Sequence, residues 1–211
     1  MAPALNLSRE QIDALEAANG LRQAAEAMEV VRYYLDPERP FMLRPNLLQH
    51  LQAIAVDGLE ESPGRWRTTP VRITGSAHTP PPPHMVENHV RELCDYINDN
   101  FHERTAFHLA AYIMWRLNWI HPFTDGNGRT SRALSYTVLC VKVGYILPGV
   151  PTIPEQIQAD RTPYIRALEA ADAKWVINEL DLSVMETMLK SMLATQLLAV
   201  IDKAGGSTAF Q

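Results

Sequence analysis

One short run of this chain gathers most of its reactive side chains: His121-Pro-Phe-Thr-Asp-Gly-Asn-Gly-Arg-Thr-Ser-Arg132 sets a base, a carboxylate, two glycines, an amide and two arginines around a single turn. Gly126 and Gly128 permit positive φ and let backbone N–H groups come close to a bound anion, where a side chain would obstruct. Such a loop makes an anion nest. Leu134, Val138 and Val141 follow at i, i+4 and i+7, so the loop feeds a helix whose positive dipole end faces that anion. Arg129 and Arg132 lie one turn apart on this helix and can bring both guanidinium forks to one side. Asp125 is a hard oxygen ligand of the type Mg²⁺ takes when it also bridges substrate phosphates. His121 is the side-chain type that removes a proton from a hydroxyl near neutral pH. Phe123 reads as an apolar peg fixing the loop to the core. Each residue alone has an ordinary structural explanation; together they point to phosphate chemistry.

The elements that must position this run are helical almost throughout. Ser8-Arg-Glu-Gln11 has the form of a capping box and starts a first helix with Ile12 and Leu15. A second amphipathic stretch runs from Leu21 to Leu35 and stops at Asp36-Pro37. A third helix opens at Pro45 and ends near Gly58, with proline at its start and glycine at its end. Val86, Val90, Leu93, Cys94 and Ile97 form one helical face, and Ala106 to Ile120 is apolar nearly all round, as befits a central helix that delivers His121. Pro163 to Ala173 makes a further helix. A last one opens at Ser183, with a methionine-rich stripe that reads as core. Only Trp66 to Gly75 speaks for strands, because Val71 and Ile73 alternate with Arg72 and Thr74; a short exposed hairpin is predicted there, as surface ornament or as a docking edge.

Composition bounds the reading. A chain of 211 residues that is 46% hydrophobic is long enough for one well-buried core and short for two, so a single domain over 1–211 is predicted. The net charge of −5, with no basic block, argues against a nucleic-acid surface. Cys94 and Cys140 lack metal-ligand spacing and read as buried small hydrophobes of a reducing, cytoplasmic protein. No basic start followed by an apolar run suggests a secretory signal, and Ala106 to Ile120, taken as the longest apolar stretch, is too short to cross a bilayer. The end of the chain, from Gly205, is expected to fray.

The run at 121–132 resembles the signature of the Fic family, His-Pro-Phe-x-(Asp/Glu)-Gly-Asn-Gly-Arg-x-x-Arg, at every specified position. The resemblance extends from about Pro45 to Leu180: Ser62-Pro-Gly-Arg-Trp-Arg67, Val71-Arg-Ile-Thr-Gly75 and Pro80 to Pro83 look like the family's flap and the lead into its next helix, and Arg161 to Leu168 like the segment that closes its adenine pocket. It implies an all-α bundle with a short β-hairpin flap beside the nucleotide site, divided into an N-terminal helical extension (1–44), a core (45–204) and a tail (205–211). It also implies transfer of AMP from ATP to a Tyr, Thr or Ser hydroxyl of a target protein. His121 would be the base, Asp125 would hold Mg²⁺, and Asn127 with the N–H groups around Gly126 and Gly128 would cradle phosphates. Arg129 would bind the outer phosphates, Arg132 the γ-phosphate, Tyr164 the nucleotide, and Val71, Arg72 and Ile73 the target.

Alternatives in the same fold are transfer of another nucleotide or phosphoryl group, removal of AMP, or a non-catalytic nucleotide-binding partner module. Gly128 and Arg129 follow the AMP-transfer form, and neither His121 nor Asp125 is lost. Many relatives restrain themselves with a Ser/Thr-x-x-x-Glu helix that occupies the second arginine. No Ser or Thr here has Glu four residues later, so the expectation is restraint from outside, by a separate antitoxin-like protein, or by residues 1–44 in some other way.

Overall fold

The computed structural model describes residues 7–205, in which eight α-helices and no strand are found. The expected fraying concerns the tail, and residues 206–211 lie outside the described ones. Helix α1 (Arg9–Tyr34) starts as predicted: Ser8 accepts from the Gln11 amide at 3.2 Å while Gln11 Oε1 accepts from the Ser8 amide at 2.8 Å. The two stretches expected in 1–44 are one continuous helix. Gly20, midway, meets no atom within 4 Å of where a Cβ would stand, and a helix absorbs a lone glycine for about 1 kcal/mol.

Helix α2 (Pro45–Ala55) has proline in its first turn, and α3 (Val86–Asp99) buries the face read from the sequence. Helix α4 (Ala106–Ile120) is the centre: every residue from Leu109 to Leu117 is buried, and Trp115, Ile113 and Met114 are among the largest fully buried side chains. It packs most extensively on α5 (Asn127–Val143), across which α1 and α2 also lie. Ser135 lets the two helices approach closely by donating to the Ala110 carbonyl at 2.8 Å. Helices α7 (Thr162–Trp175) and α8 (Ser183–Gly205) close the other side, with short α6 (Ile153–Ala159) between α5 and α8. The sequence reading missed α6, although Thr152 and Glu155 form its capping box; seven residues are too few to show a face.

Two other expectations are corrected. No hairpin forms at Trp66 to Gly75: the chain runs irregularly there and reverses in a turn at Ile73–Ser76, where the Ser76 amide donates to the Ile73 carbonyl at 3.2 Å. Pro70 has no N–H to give a ladder, and the Arg67 amide and the Thr69 and Pro81 carbonyls are spent on other contacts, so no strands pair along this segment. Nor is Ala106 to Ile120 the longest apolar helix. Ser183–Asp202 is long and apolar enough, by length and composition, to span a bilayer; here Leu182, Met185, Leu189 and Gln196 are buried where α8 meets α4, α6 and α7. Cys94 and Cys140 are free and buried as expected, and burial pushes the Cys94 thiol up to about 12.

Candidate active site

The site lies where α4 ends and α5 begins. His121 is the C-cap of α4, in the left-handed region (φ 49, ψ 59), with its amide donating to the Leu117 carbonyl at 2.9 Å. A side chain in that region costs energy unless its surroundings hold it. Two residues that sequence reasoning passed over do so: Arg67 Nε donates to the His121 carbonyl at 2.7 Å, and His78 Nε2 meets the Trp119 carbonyl at 2.8 Å. Phe123 is fully buried against Trp66, ring centroids 4.9 Å apart, which makes it the peg expected.

The His121 imidazole is largely desolvated, and burial pushes its pKa down to about 4. The Asn118 carbonyl raises it, Arg67 and His78 lower it, and Asp125 raises it. At neutral pH the ring is therefore uncharged and able to accept a proton. Asn118 is itself fixed from behind: its Nδ2 donates to the Met114 carbonyl at 2.7 Å, to Ser131 Oγ at 2.8 Å and to the Tyr164 hydroxyl at 2.6 Å. Tyr164 is buried, so what it does in this structure is hold Asn118 and Ser131 in place.

On the far side of the turn, Gly126 has φ 78 and caps α5. A Cβ there would stand 2.8 Å from Val56 Cγ1, so both the backbone angle and the neighbour require glycine. Gly128 differs from expectation: it lies inside the first turn of α5 without positive φ, and its bareness leaves room for the Arg132 guanidinium, whose Nη1 would be 3.3 Å from a Cβ. No side chain caps the first N–H groups of α5, which have no partner within the helix. Asn127 spends its side chain on the turn, accepting from the Phe123 amide and donating to the Phe123 carbonyl, both at 2.9 Å, and offers a ligand only its backbone N–H.

The two arginines are placed differently. Arg129 donates to the Ala55 carbonyl at 3.0 Å and pairs with Asp125 at 2.8 Å and with Glu16 of α1 at 3.3 Å. Arg132 is buried and donates to Gln158 Oε1 at 3.1 Å, an oxygen that Arg161 also reaches at 3.3 Å. Burial lowers the Arg132 pKa, Tyr164 raises it, and the charges of Arg161 and Arg129 lower it. Among the described residues no carboxylate pairs with Arg132 or Arg161, so two cations share one neutral amide. Asp125 is half exposed, and its other oxygen accepts from the Gly126 amide at 2.6 Å. Gln52 of α2 ties the turn down by donating to the Asp125 carbonyl at 3.0 Å. The structure thus brings His121, Asp125, Gly126, Asn127, Gly128, Arg129 and Arg132 together, with Tyr164 behind them. Val71, Arg72 and Ile73 lie on the irregular loop that Arg67 anchors.

The Fic/DOC family pattern matches residues 42–139, which include the whole turn. A protein adenylyltransferase Fic of Nematostella vectensis is 31% identical over 139 residues, covering 60% of this chain and 30% of its own length. The protein adenylyltransferase fic-1 of Caenorhabditis elegans is 40% identical over 113 residues, covering 52% of this chain and 20% of its own. The chain thus spans under a third of the length of either curated relative. In fold it is similar to a Fic domain containing signaling protein of Bacteroides thetaiotaomicron, with a TM-score of 0.71 over 92% of this chain and 75% of that one, at 21% identity. A matching pattern that takes in the chemistry-bearing turn and relatives above 30% identity agree: residues 42–139 of the chain belong to the Fic/DOC family.

Proposed function

We propose that this chain transfers AMP from ATP to a hydroxyl side chain of a target protein. The observation that carries the reading is the α5 end of the turn, where an uncapped helix N-terminus stands beside two arginines that no described carboxylate neutralises, next to an uncharged imidazole. A triphosphate satisfies all of these at once: its oxygens accept from the free N–H groups and from the guanidinium forks of Arg132 and Arg161. The target oxygen attacks the α-phosphorus, the bond to the bridging oxygen breaks, pyrophosphate leaves, and the hydroxyl proton passes to His121. Positioning and charge neutralisation supply most of the rate in such transfers.

Mg²⁺ fits the donor set. An ion held mainly by phosphate oxygens takes only one or two protein carboxylates. The turn offers one, Asp125, and no group of three or more His, Cys, Asp or Glu able to hold an ion is found among the described residues. Bound there, the ion would neutralise phosphate charge. Val71, Arg72 and Ile73 are the proposed docking segment, on the irregular loop that Arg67 anchors beside the turn.

We further assign residues 1–44 to an extension of a core at 45–204. Glu16 of α1 engages Arg129, and no described carboxylate reaches Arg132, which favours restraint by a separate partner that inserts one there over restraint by α1 itself. Titration of the chain with ATP and then with pyrophosphate tests the reading. Both are expected to bind, ATP in the presence of a hydroxyl-bearing protein is expected to release pyrophosphate, and a chain that binds neither would defeat it.

A further inference from the structure

We propose that Arg67 is a positioning residue for the transfer, fixing the imidazole of His121 by capping α4 from the loop that docks the target; the catalytic part of this inference rests on the AMP-transfer reading. A helix ends with backbone carbonyls that have no partner of their own. Here four successive ones, from Trp119 to Pro122, are taken up by two side chains and one amide of a single loop. Trp119 accepts from His78 Nε2 at 2.8 Å, Ile120 from Arg67 Nη2 at 3.3 Å, His121 from Arg67 Nε at 2.7 Å, and Pro122 from the Arg67 amide at 2.9 Å.

The guanidinium also closes the loop on itself. Nη2 donates to the Pro81 carbonyl at 2.6 Å and Nη1 to the Thr69 carbonyl at 3.2 Å, so all three nitrogens are engaged. Arg67 is only 3% exposed and has no carboxylate partner within 4.0 Å among the described residues. A buried cation without a counter-charge is costly. What compensates it is the negative end of the α4 dipole, aimed at it through these carbonyls.

That investment lies beside the one residue of the turn that is not glycine yet has positive φ, His121. The same guanidinium spans Thr69 and Pro81, which bracket Val71, Arg72 and Ile73. Base and docking segment are therefore registered to one another through one side chain, and a lysine, with a single nitrogen, cannot bridge the same carbonyls.

The test compares Arg67→Lys, Arg67→Ala and His78→Ala with the wild type, each shown to be folded by thermal melting. Both Arg67 variants are expected to lose at least tenfold in kcat with KM for ATP within twofold, because the phosphates bind at the other end of the turn. His78→Ala, which frees one carbonyl, is expected to lose less, and His78→Gln to recover part of the loss. Independently of activity, hydrogen exchange at the His121 amide is expected to quicken at least tenfold in Arg67→Lys while α5 amides stay unchanged. Unchanged kcat and unchanged exchange at His121 in folded Arg67→Lys would overturn the proposal, as would a rise in KM for ATP matching the fall in kcat. A wild-type chain that transfers no AMP would defeat the AMP reading alone, and the exchange measurement would then decide whether Arg67 holds His121.

Discussion

At the C-terminal end of α4 the carbonyls of Trp119, Ile120, His121 and Pro122 all accept hydrogen bonds from the 66–81 loop, whereas at the N-terminal end of α5, among the described residues, no side chain caps the first N–H groups and Arg132 meets a neutral amide and no carboxylate. The two ends are a few residues apart in one turn. One is saturated with partners and holds an imidazole in a conformation that would not persist unaided. The other leaves its helix N–H groups and the Arg132 charge unspent, while Arg129 is held by Asp125 and Glu16. On the proposed AMP transfer, this asymmetry keeps the base still and admits a polyphosphate, because unpaired donors are costly in a folded chain and are retained where a ligand completes them.

The comparison breaks most sharply at His121. Replacing it with Ala is expected to lower transfer by ~10² to 10⁴ while ATP binding persists, since the base is lost and the phosphate end is untouched. Rate and ATP affinity measured on the same preparation check this, and a parallel loss of both would mean that the two ends are not separable. Arg132→Ala probes the open end. A hydrogen bond to a charged group contributes about 1.5–3 kcal/mol, so ATP affinity should weaken roughly tenfold to a hundredfold. Isothermal titration reads that directly, and unchanged affinity would move the phosphates away from Arg132.

Gly126→Ala attacks the joint between the ends. With φ 78 and a Cβ 2.8 Å from Val56, the variant should lose about 1–3 kcal/mol in urea unfolding. A neutral outcome would mean that the turn has slack. A further effect comes from pH. His121 is held near 4 in the fold against an ordinary 6.5, so the unfolded chain binds the extra proton between these values. Its contribution to stability is complete above about 6.5 and is lost as pH falls toward about 4, at about 1.4 kcal/mol per unit. His121→Asn should lack that slope, so that it appears as the difference between the wild-type and variant stability curves, and identical slopes would refute the desolvated imidazole.

Much of this was legible in the sequence because it is local. The spacing of Leu134, Val138 and Val141 announced α5, Pro45 announced α2, the all-apolar run announced α4, and the signature in the turn announced the family. What was not legible depends on contacts across the chain. Nothing near Arg67 indicates that its guanidinium is buried under a helix end 54 positions away. Asn118 looked like a polar interruption of an apolar helix, yet its side-chain amide meets Tyr164 and Ser131 behind the turn. Asn127 and Gly128 have the types a phosphate loop requires, but one spends its side chain on Phe123 and the other makes space for Arg132. The hairpin was a misreading of alternation: Val71 and Ile73 have the period of a strand, and Pro70 with the spent Thr69 and Pro81 carbonyls denies it a ladder.

The central claim, that the open end takes the triphosphate so that the held imidazole can direct a hydroxyl onto the α-phosphorus, is tested most directly with ATP labelled separately at the α and γ positions. Incubated with the wild-type chain and a hydroxyl-bearing target, the α label is expected to become covalently attached to protein and the γ label to leave with pyrophosphate, and neither should attach with His121→Ala. Attachment of the γ label, or undiminished attachment of the α label in His121→Ala, would contradict it.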